Sequence, residues 1–160
     1  MAHAFCDAIR DLYGEGDNID VAEALNNLYD HGAIALKVLP DHILGDDEAI
    51  AYPNEQRIEI KESVYLGAHD QVPKDRFTIS HELGHLFLKH QASFSRATIR
   101  RDHKTYQDSE WQADTFAAEL LMDSRRIDLK KDTVQTLTKR FGVSYQAAEV
   151  RLRKLNNENR

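Results

Sequence analysis

Long apolar runs are missing from this 160-residue chain. Nowhere do 18 apolar residues follow one another, so no membrane-spanning helix is expected. Cysteine is nearly missing too: Cys6 stands alone, which excludes an internal disulfide and suits a reducing cytoplasm, where the chain is expected to reside. Cys6 itself reads as a small buried hydrophobe on a first helix. The opening Met-Ala-His-Ala-Phe-Cys-Asp carries no basic segment followed by an apolar stretch, so no secretory signal is expected. Basic residues are scarce in the body of the chain. Residues 1–123 hold 11 Lys+Arg against 23 Asp+Glu, a net charge of −12, whereas residues 124–160 hold 10 against 4, a net charge of +6. An acidic body argues against general affinity for nucleic acid and leaves the basic tail as the one place where such contact could arise. The length fits one compact domain with a small appendage. The expected division is a main body at 1–123 and a helical segment at 124–160 packed on it.

Histidine, by contrast, is plentiful, with 8 in the chain, and two of them frame residues 81–85, His-Glu-Leu-Gly-His. On a helix His81 and His85 sit one turn apart on one face, with Cβ atoms about 5–6 Å apart. Two imidazoles so placed can converge on one ion at about 2.0–2.1 Å each. Glu82 is offset around the helix, poorly placed to be a third ligand and well placed to take a proton from an attacking water. A chance H-E-x-x-H somewhere in a chain of this composition has odds of about 3 in 100, so the surroundings must decide. They favour a metal helix. Pro73 suits a first helical turn, and Phe77, Ile79, Leu83, Leu86, Phe87 and Leu88 crowd the histidines, predicting a helix buried on most sides. Unpaired histidines are costly to bury there, and a cation removes that cost. Gly84 permits close approach of another backbone or of a substrate.

A catalytic zinc site has three protein ligands and one open position. A metzincin would need Gly at 88 and His at 91; the chain has Leu88 and Gln91, so that class is excluded. A carboxylate from a second helix is the alternative. Residues 108–122 supply one, with Asp108 or Ser109 as its expected N-cap and Ala113, Phe116, Ala117, Leu120 and Leu121 as an apolar stripe. Glu110 and Asp114 lie one turn apart on it. Glu110 is assigned as the third ligand and Asp114 as acceptor for the free ring N–H of a ligand histidine. A solvated acidic face is the competing reading of Glu110 and Asp114, and Glu119 ranks below Glu110.

The runs Arg-Phe-Thr-Ile-Ser-His-Glu-Leu-Gly-His-Leu-Phe-Leu (76–88) and Glu-Trp-Gln-Ala-Asp-Thr-Phe-Ala-Ala-Glu-Leu-Leu-Met (110–122) resemble the ImmA/IrrE metallopeptidase family, over at least residues 48–123. That family typically shows R-F-T-x-A-H-E-x-G-H followed by E-x-x-A-N-x-F-A-A-x-L-L-M-P. The resemblance implies Zn²⁺ on His81, His85 and Glu110, with Glu82 as general base. It also implies a substrate class, a helix-turn-helix repressor or antitoxin of XRE type. The chain departs from the family pattern at Asp114, where Asn is common, and at Asp123, where Pro is usual. The first keeps a hydrogen-bond acceptor; the second suggests a different helix exit. Mn²⁺ or Fe²⁺ would also suit two imidazoles and a carboxylate.

The fold class expected is α+β: a mostly helical domain, a small antiparallel or mixed sheet beside the H-E-x-x-H helix, and helix-turn-helix-like helices at the C-terminus. Helices are predicted at 3–13 and 20–31, the second starting at Asp20 and stopping at Gly32. Strands are predicted at 34–38, 49–52 and 57–61, with a turn at Pro53-Asn54-Glu55. An edge strand beside a cleft is a place where a peptide can add by β-augmentation. Residues 91–107 carry no assignment and read either as a lid or as a solvated loop. Within them His103 and Tyr106 are candidates to stabilise an oxyanion. His3, His31, His42, His69 and His90 are read as ordinary. The tail predicts helices at 133–140 and 145–155 around Phe141-Gly142-Val143-Ser144. Contact with DNA through Arg151, Arg153 and Lys154 is weighed against a helical cap on the core, and the cap is favoured. The function expected is a zinc-dependent endopeptidase acting on a partner repressor or antitoxin. The alternative is a toxin or regulatory component of a toxin–antitoxin or phage switch, acting by protein binding with little or no proteolysis.

Overall fold

Asp20 opens the second helix as expected, its side chain accepting from the Glu23 backbone N–H at 2.9 Å. That bond satisfies one of the donors a helix start leaves unpaired. The computed structural model describes residues 2–89 and 103–159, with the side chains of Ala2, Glu15 and 103–107 outside that description. Helix α1 (Ala2–Tyr13) runs into a two-residue hairpin, β1 (Gly14–Glu15) and β2 (Asn18–Ile19), and then α2 (Val21–Asp30). Three strands follow: β3 (Ala35–Leu39), β4 (Ala49–Tyr52) and β5 (Arg57–Lys61), with Pro53–Glu55 forming a 3₁₀ turn between the last two. Helices α3 (Glu62–His69), α4 (Pro73–Phe87), α5 (His103–Leu121), α6 (Val134–Phe141) and α7 (Tyr145–Glu158) complete the order. The molecule is α+β, mostly helical, with one small mixed sheet.

The sheet order is β3-β5-β4, with β3 parallel and β4 antiparallel to the central β5. Ile58 and Ile60 alternate with Arg57, Glu59 and Lys61, so one face of β5 is buried and the other half-exposed. Helix α4 packs on β4, and its Ile79, Leu83 and Leu86 share one core cluster with Ile58 and Ile60 of β5. Pro73 occupies the first turn of α4, where its missing N–H costs nothing.

Helices α4 and α5 approach closely at Gly84. A Cβ added there would meet Phe116 Cδ1 at 3.1 Å, Ala113 Cα at 3.2 Å and Ala113 O at 3.3 Å. Absence of a side chain lets the two backbones approach, with Ala113 and Ala117 fully buried opposite. The expected start of α5 at Asp108 or Ser109 is corrected: the helix begins at His103, one to two turns earlier. Nothing at 103–108 breaks a helix, and Ser109 is buried within it rather than serving as a cap. Positions 103–107 therefore belong to a helix and not to a loop, and residues 91–102 of the expected lid lie outside the described residues. So do the side chains of His103 and Tyr106.

The tail folds as two helices with clear boundary chemistry. Thr133 and Thr136 form a reciprocal capping box at the start of α6, Gly142 ends it at φ 62°, and the Ser144 side chain caps α7 by accepting from Ala147 N–H at 3.1 Å. Leu137, Phe141, Val143 and Ala148 join the same core as α1 and α4. Arg76 on α4 is fully buried and donates to Phe141 O at 3.0 Å, to Ile19 O at 2.8 Å, to Gly142 O and to Asn18 Oδ1. A guanidinium presents five N–H donors in a fixed fork, and here it ties α4 to β2 and to the α6–α7 turn. Of the three basic residues considered for DNA, Arg151 is buried and donates to Met122 O at 3.1 and 2.9 Å and to Glu119. Lys154 sits over the Trp111 ring at 5.1 Å and reaches Thr115 at 3.4 Å; Arg153 is exposed. Among the described residues, no helix is long and apolar enough to cross a membrane.

Candidate metal centre and active site

The close α4–α5 contact at Gly84 brings the next turns of both helices face to face. Nε2 of His81 and Nε2 of His85 lie 3.0 Å apart. Glu110 reaches across from α5, with Oε2 at 3.2 Å from His81 Nε2 and Oε1 at 3.1 Å from His85 Nε2. Asp114, one turn further along α5, accepts from His81 Nδ1 at 2.8 Å. Among the described residues, His81, His85 and Glu110 form the one group of three ligating side chains whose donor atoms converge on a single point.

The donor set fits a cation. With Nδ1 of His81 donating to Asp114, Nε2 of the neutral ring is a lone pair. It faces a second imidazole nitrogen and a carboxylate, so the convergent atoms are acceptors that repel one another unless a proton or a metal ion lies between them. A tetrahedral ion with bonds of about 2.0–2.1 Å sets its donors about 3.3 Å apart, close to the observed 3.0–3.2 Å separations. The electrostatics agree. His81 is pushed up to about 10: burial works against its charge, but the bonds to Asp114 and Glu110 outweigh it. Glu110 is held far below the usual carboxylate range by hydrogen bonds from both histidines.

Glu82 points elsewhere. It is buried, and its Oε2 accepts from the backbone N–H of Ala51 on β4 at 2.7 Å. Burial pushes its carboxyl up to about 7, and the neighbouring His81 and His85 and the Ala51 bond restrain the rise. A carboxyl in that range can both take and return a proton near neutral pH. The arrangement is thus three convergent donor side chains that could hold a cation, with one buried carboxyl on the same helix.

Sequence reasoning brought His81, His85, Glu110 and Asp114 together, and so does the fold. Glu119, ranked second as a ligand, is used otherwise. It accepts from Ser124 N–H at 3.0 Å and Ser124 Oγ at 2.8 Å and pairs with Arg151, binding the end of α5 to α7. Asp123, where the resembled family has Pro, also has structural work. Its Oδ1 accepts from Arg125 N–H at 3.0 Å and lies in an ionic group with Arg10, Arg125 and Arg126. Ala51 is the partner that sequence reasoning missed. A backbone donor leaves no mark on residue identity, and the sequence marked 49–52 only as a strand.

Residues 42–153, more than half of the chain, match the model of the IrrE N-terminal-like domain, Peptidase_M78, and the chain belongs to that family. It is a family of metallopeptidase type. No curated protein matches the chain.

Proposed function

We propose that this protein is a zinc-dependent endopeptidase. The observation that carries the reading is the convergence of His81, His85 and Glu110 on one point, with the buried carboxyl of Glu82 on the same helix. The three side chains hold the ion, and Asp114 fixes the His81 tautomer that presents Nε2 to it. Bound zinc supplies Lewis acidity, lowering the pKa of a water and polarising a carbonyl. Glu82 takes the proton of the attacking water and returns it to the leaving amine. Strand β4 forms one edge of the sheet and is the edge bonded to Glu82, so an extended substrate segment adds there. Residues 1–123 form the catalytic body in this reading and 124–160 a helical segment on it.

The substrate class in this proposal is a helix-turn-helix repressor or antitoxin of XRE type, encoded near the peptidase. It rests on the family resemblance and on charge. A body carrying −12 over residues 1–123 suits a partner whose DNA-binding surface is basic. The test is co-expression of the neighbouring regulator with wild type and with Glu82→Gln. A defined fragment with wild type and none with the variant, both retaining zinc, is the expected result. Undiminished cleavage by Glu82→Gln overturns the assignment.

A further inference from the structure

The hydrogen bond from Ala51 to Glu82 uses a donor that the sheet leaves over. Lys61 N–H donates to Glu48 O at 3.1 Å, which makes 48 and 61 a bonded pair of the antiparallel ladder. In the observed register, bonded and non-bonded pairs alternate, so 50↔59 and 52↔57 are bonded and 49↔60 and 51↔58 are not. The N–H of Ala51 therefore points out of the β4–β5 ladder, toward the open edge, and there it meets Glu82 Oε2 at 2.7 Å. The strand is stiff at this point: the Ala51 side chain is buried, and so is Ile58 across from it. The geometry points to Ala51 as a positioning residue, whose main-chain N–H clamps one oxygen of Glu82 so that the other is left to exchange the proton.

The division of labour holds through the proton cycle. As a carboxylate, Glu82 accepts from Ala51 through Oε2 and offers Oε1 to the attacking water. Once Oε1 carries the proton, Oε2 is the carbonyl oxygen of a neutral acid and still accepts. The clamp persists while the proton goes on to the leaving nitrogen. It also ties the base to the strand edge that receives substrate, so base and scissile bond keep one register. A buried carboxyl without such a bond would be free to rotate, and misplacement by about 1 Å can cost a factor of about 10² in rate. This inference rests on the peptidase reading above.

Ala51→Pro tests it. Proline removes the N–H and places its ring Cδ between the position-51 nitrogen and Glu82 Oε2, which lie 2.7 Å apart in the wild type. An edge strand tolerates it at a position outside the ladder, and the extended residue before it suits proline as well. The zinc-loaded full chain is assayed on a quenched-fluorescent peptide library, with zinc affinity followed by chelator competition. The expected result is unchanged zinc affinity, KM held, and kcat lower by about 10²-fold. Full kcat in Ala51→Pro overturns the inference. A second measurement stands even if that variant does not fold. In the ¹⁵N-labelled zinc-loaded protein, the Ala51 amide proton should resonate far downfield in wild type and move upfield in Glu82→Ala. An Ala51 resonance indifferent to Glu82→Ala overturns the clamp. Wild type that cleaves nothing sinks the peptidase reading instead, and the amide resonance still decides the clamp on its own.

Discussion

Asp114 Oδ1 lies 2.8 Å from Nδ1 of His81, on the far side of the ring from Glu110 and His85. The carboxylate can only accept, so Nδ1 carries the proton and Nε2 is turned into a ligand. Replacing Asp114 with Ala frees both the tautomer and the ring orientation. Zinc affinity should fall by about 10–100-fold, measured by competition with a chromogenic chelator. Asp114→Asn keeps an accepting oxygen and should fall between the two. Equal affinities in all three proteins would remove Asp114 from the metal site.

Metal binding should also release a proton. In the metal-free protein His81 is raised to about 10, because Asp114 and Glu110 overcome the opposing effect of burial. At pH 7 the ring is therefore protonated before binding and must be neutral afterwards. Affinity should rise with pH, losing about tenfold for each unit of acidification below neutrality. Titration calorimetry in two buffers of different ionisation enthalpy should count about one proton released at pH 7. A count of zero contradicts the arrangement.

Gly84 sets the separation of α4 and α5. A methyl at this position would stand 3.2 Å from Ala113 Cα and 3.3 Å from Ala113 O, which are backbone atoms and yield little. Gly84→Ala should cost about 1–3 kcal/mol by overpacking, although alanine is the better helix former. Because Glu110 sits one turn before the contact, zinc affinity should fall as well. Thermal unfolding and chelator competition give the two readings, and a stabilised variant would contradict the packing argument.

Arg76 carries no buried carboxylate partner and is held by carbonyls of Ile19, Phe141 and Gly142 and by Asn18. Its Nε is the one buried side-chain polar atom without a partner among the described residues. Arg76→Met keeps volume but leaves those acceptors unpaired, at about 1–3 kcal/mol for each buried one. A loss of about 3 kcal/mol or more is expected, which lowers Tm by roughly 6–12 °C for a chain of this size. Differential scanning calorimetry checks it. A loss under about 0.5 kcal/mol, the range of an ordinary surface substitution, would mean that the tail is not held by this residue.

How legible each element was follows from where its cause lies. Strands β4 and β5 were readable to the residue because alternation around Ile58 and Ile60 and the Pro53-Asn54-Glu55 turn are local signals. The first and last turns of α4 were readable from Pro73 and the H-E-x-x-H spacing. Helix α3 was missed: Glu62–His69 is short, and no capping side chain marks its start. The β1–β2 hairpin is two residues per strand, too short for any periodicity. The start of α5 was misplaced because a good cap residue, Ser109, is instead buried in the helix.

By itself, then, the sequence determined the donor set. Helical periodicity puts His81 beside His85 and Glu110 beside Asp114, and the chemistry of imidazole and carboxylate makes that combination a candidate cation site. Tertiary structure alone decided three other things. It put Glu110 rather than Glu119 beside the two histidines, because Arg151 and Ser124 take Glu119 to another part of the core. It turned Arg151 inward and left Arg153 as the exposed basic residue of the two. And it put the Ala51 N–H against Glu82, which no residue type could announce, because every residue but proline carries that donor and only the fold says where it points.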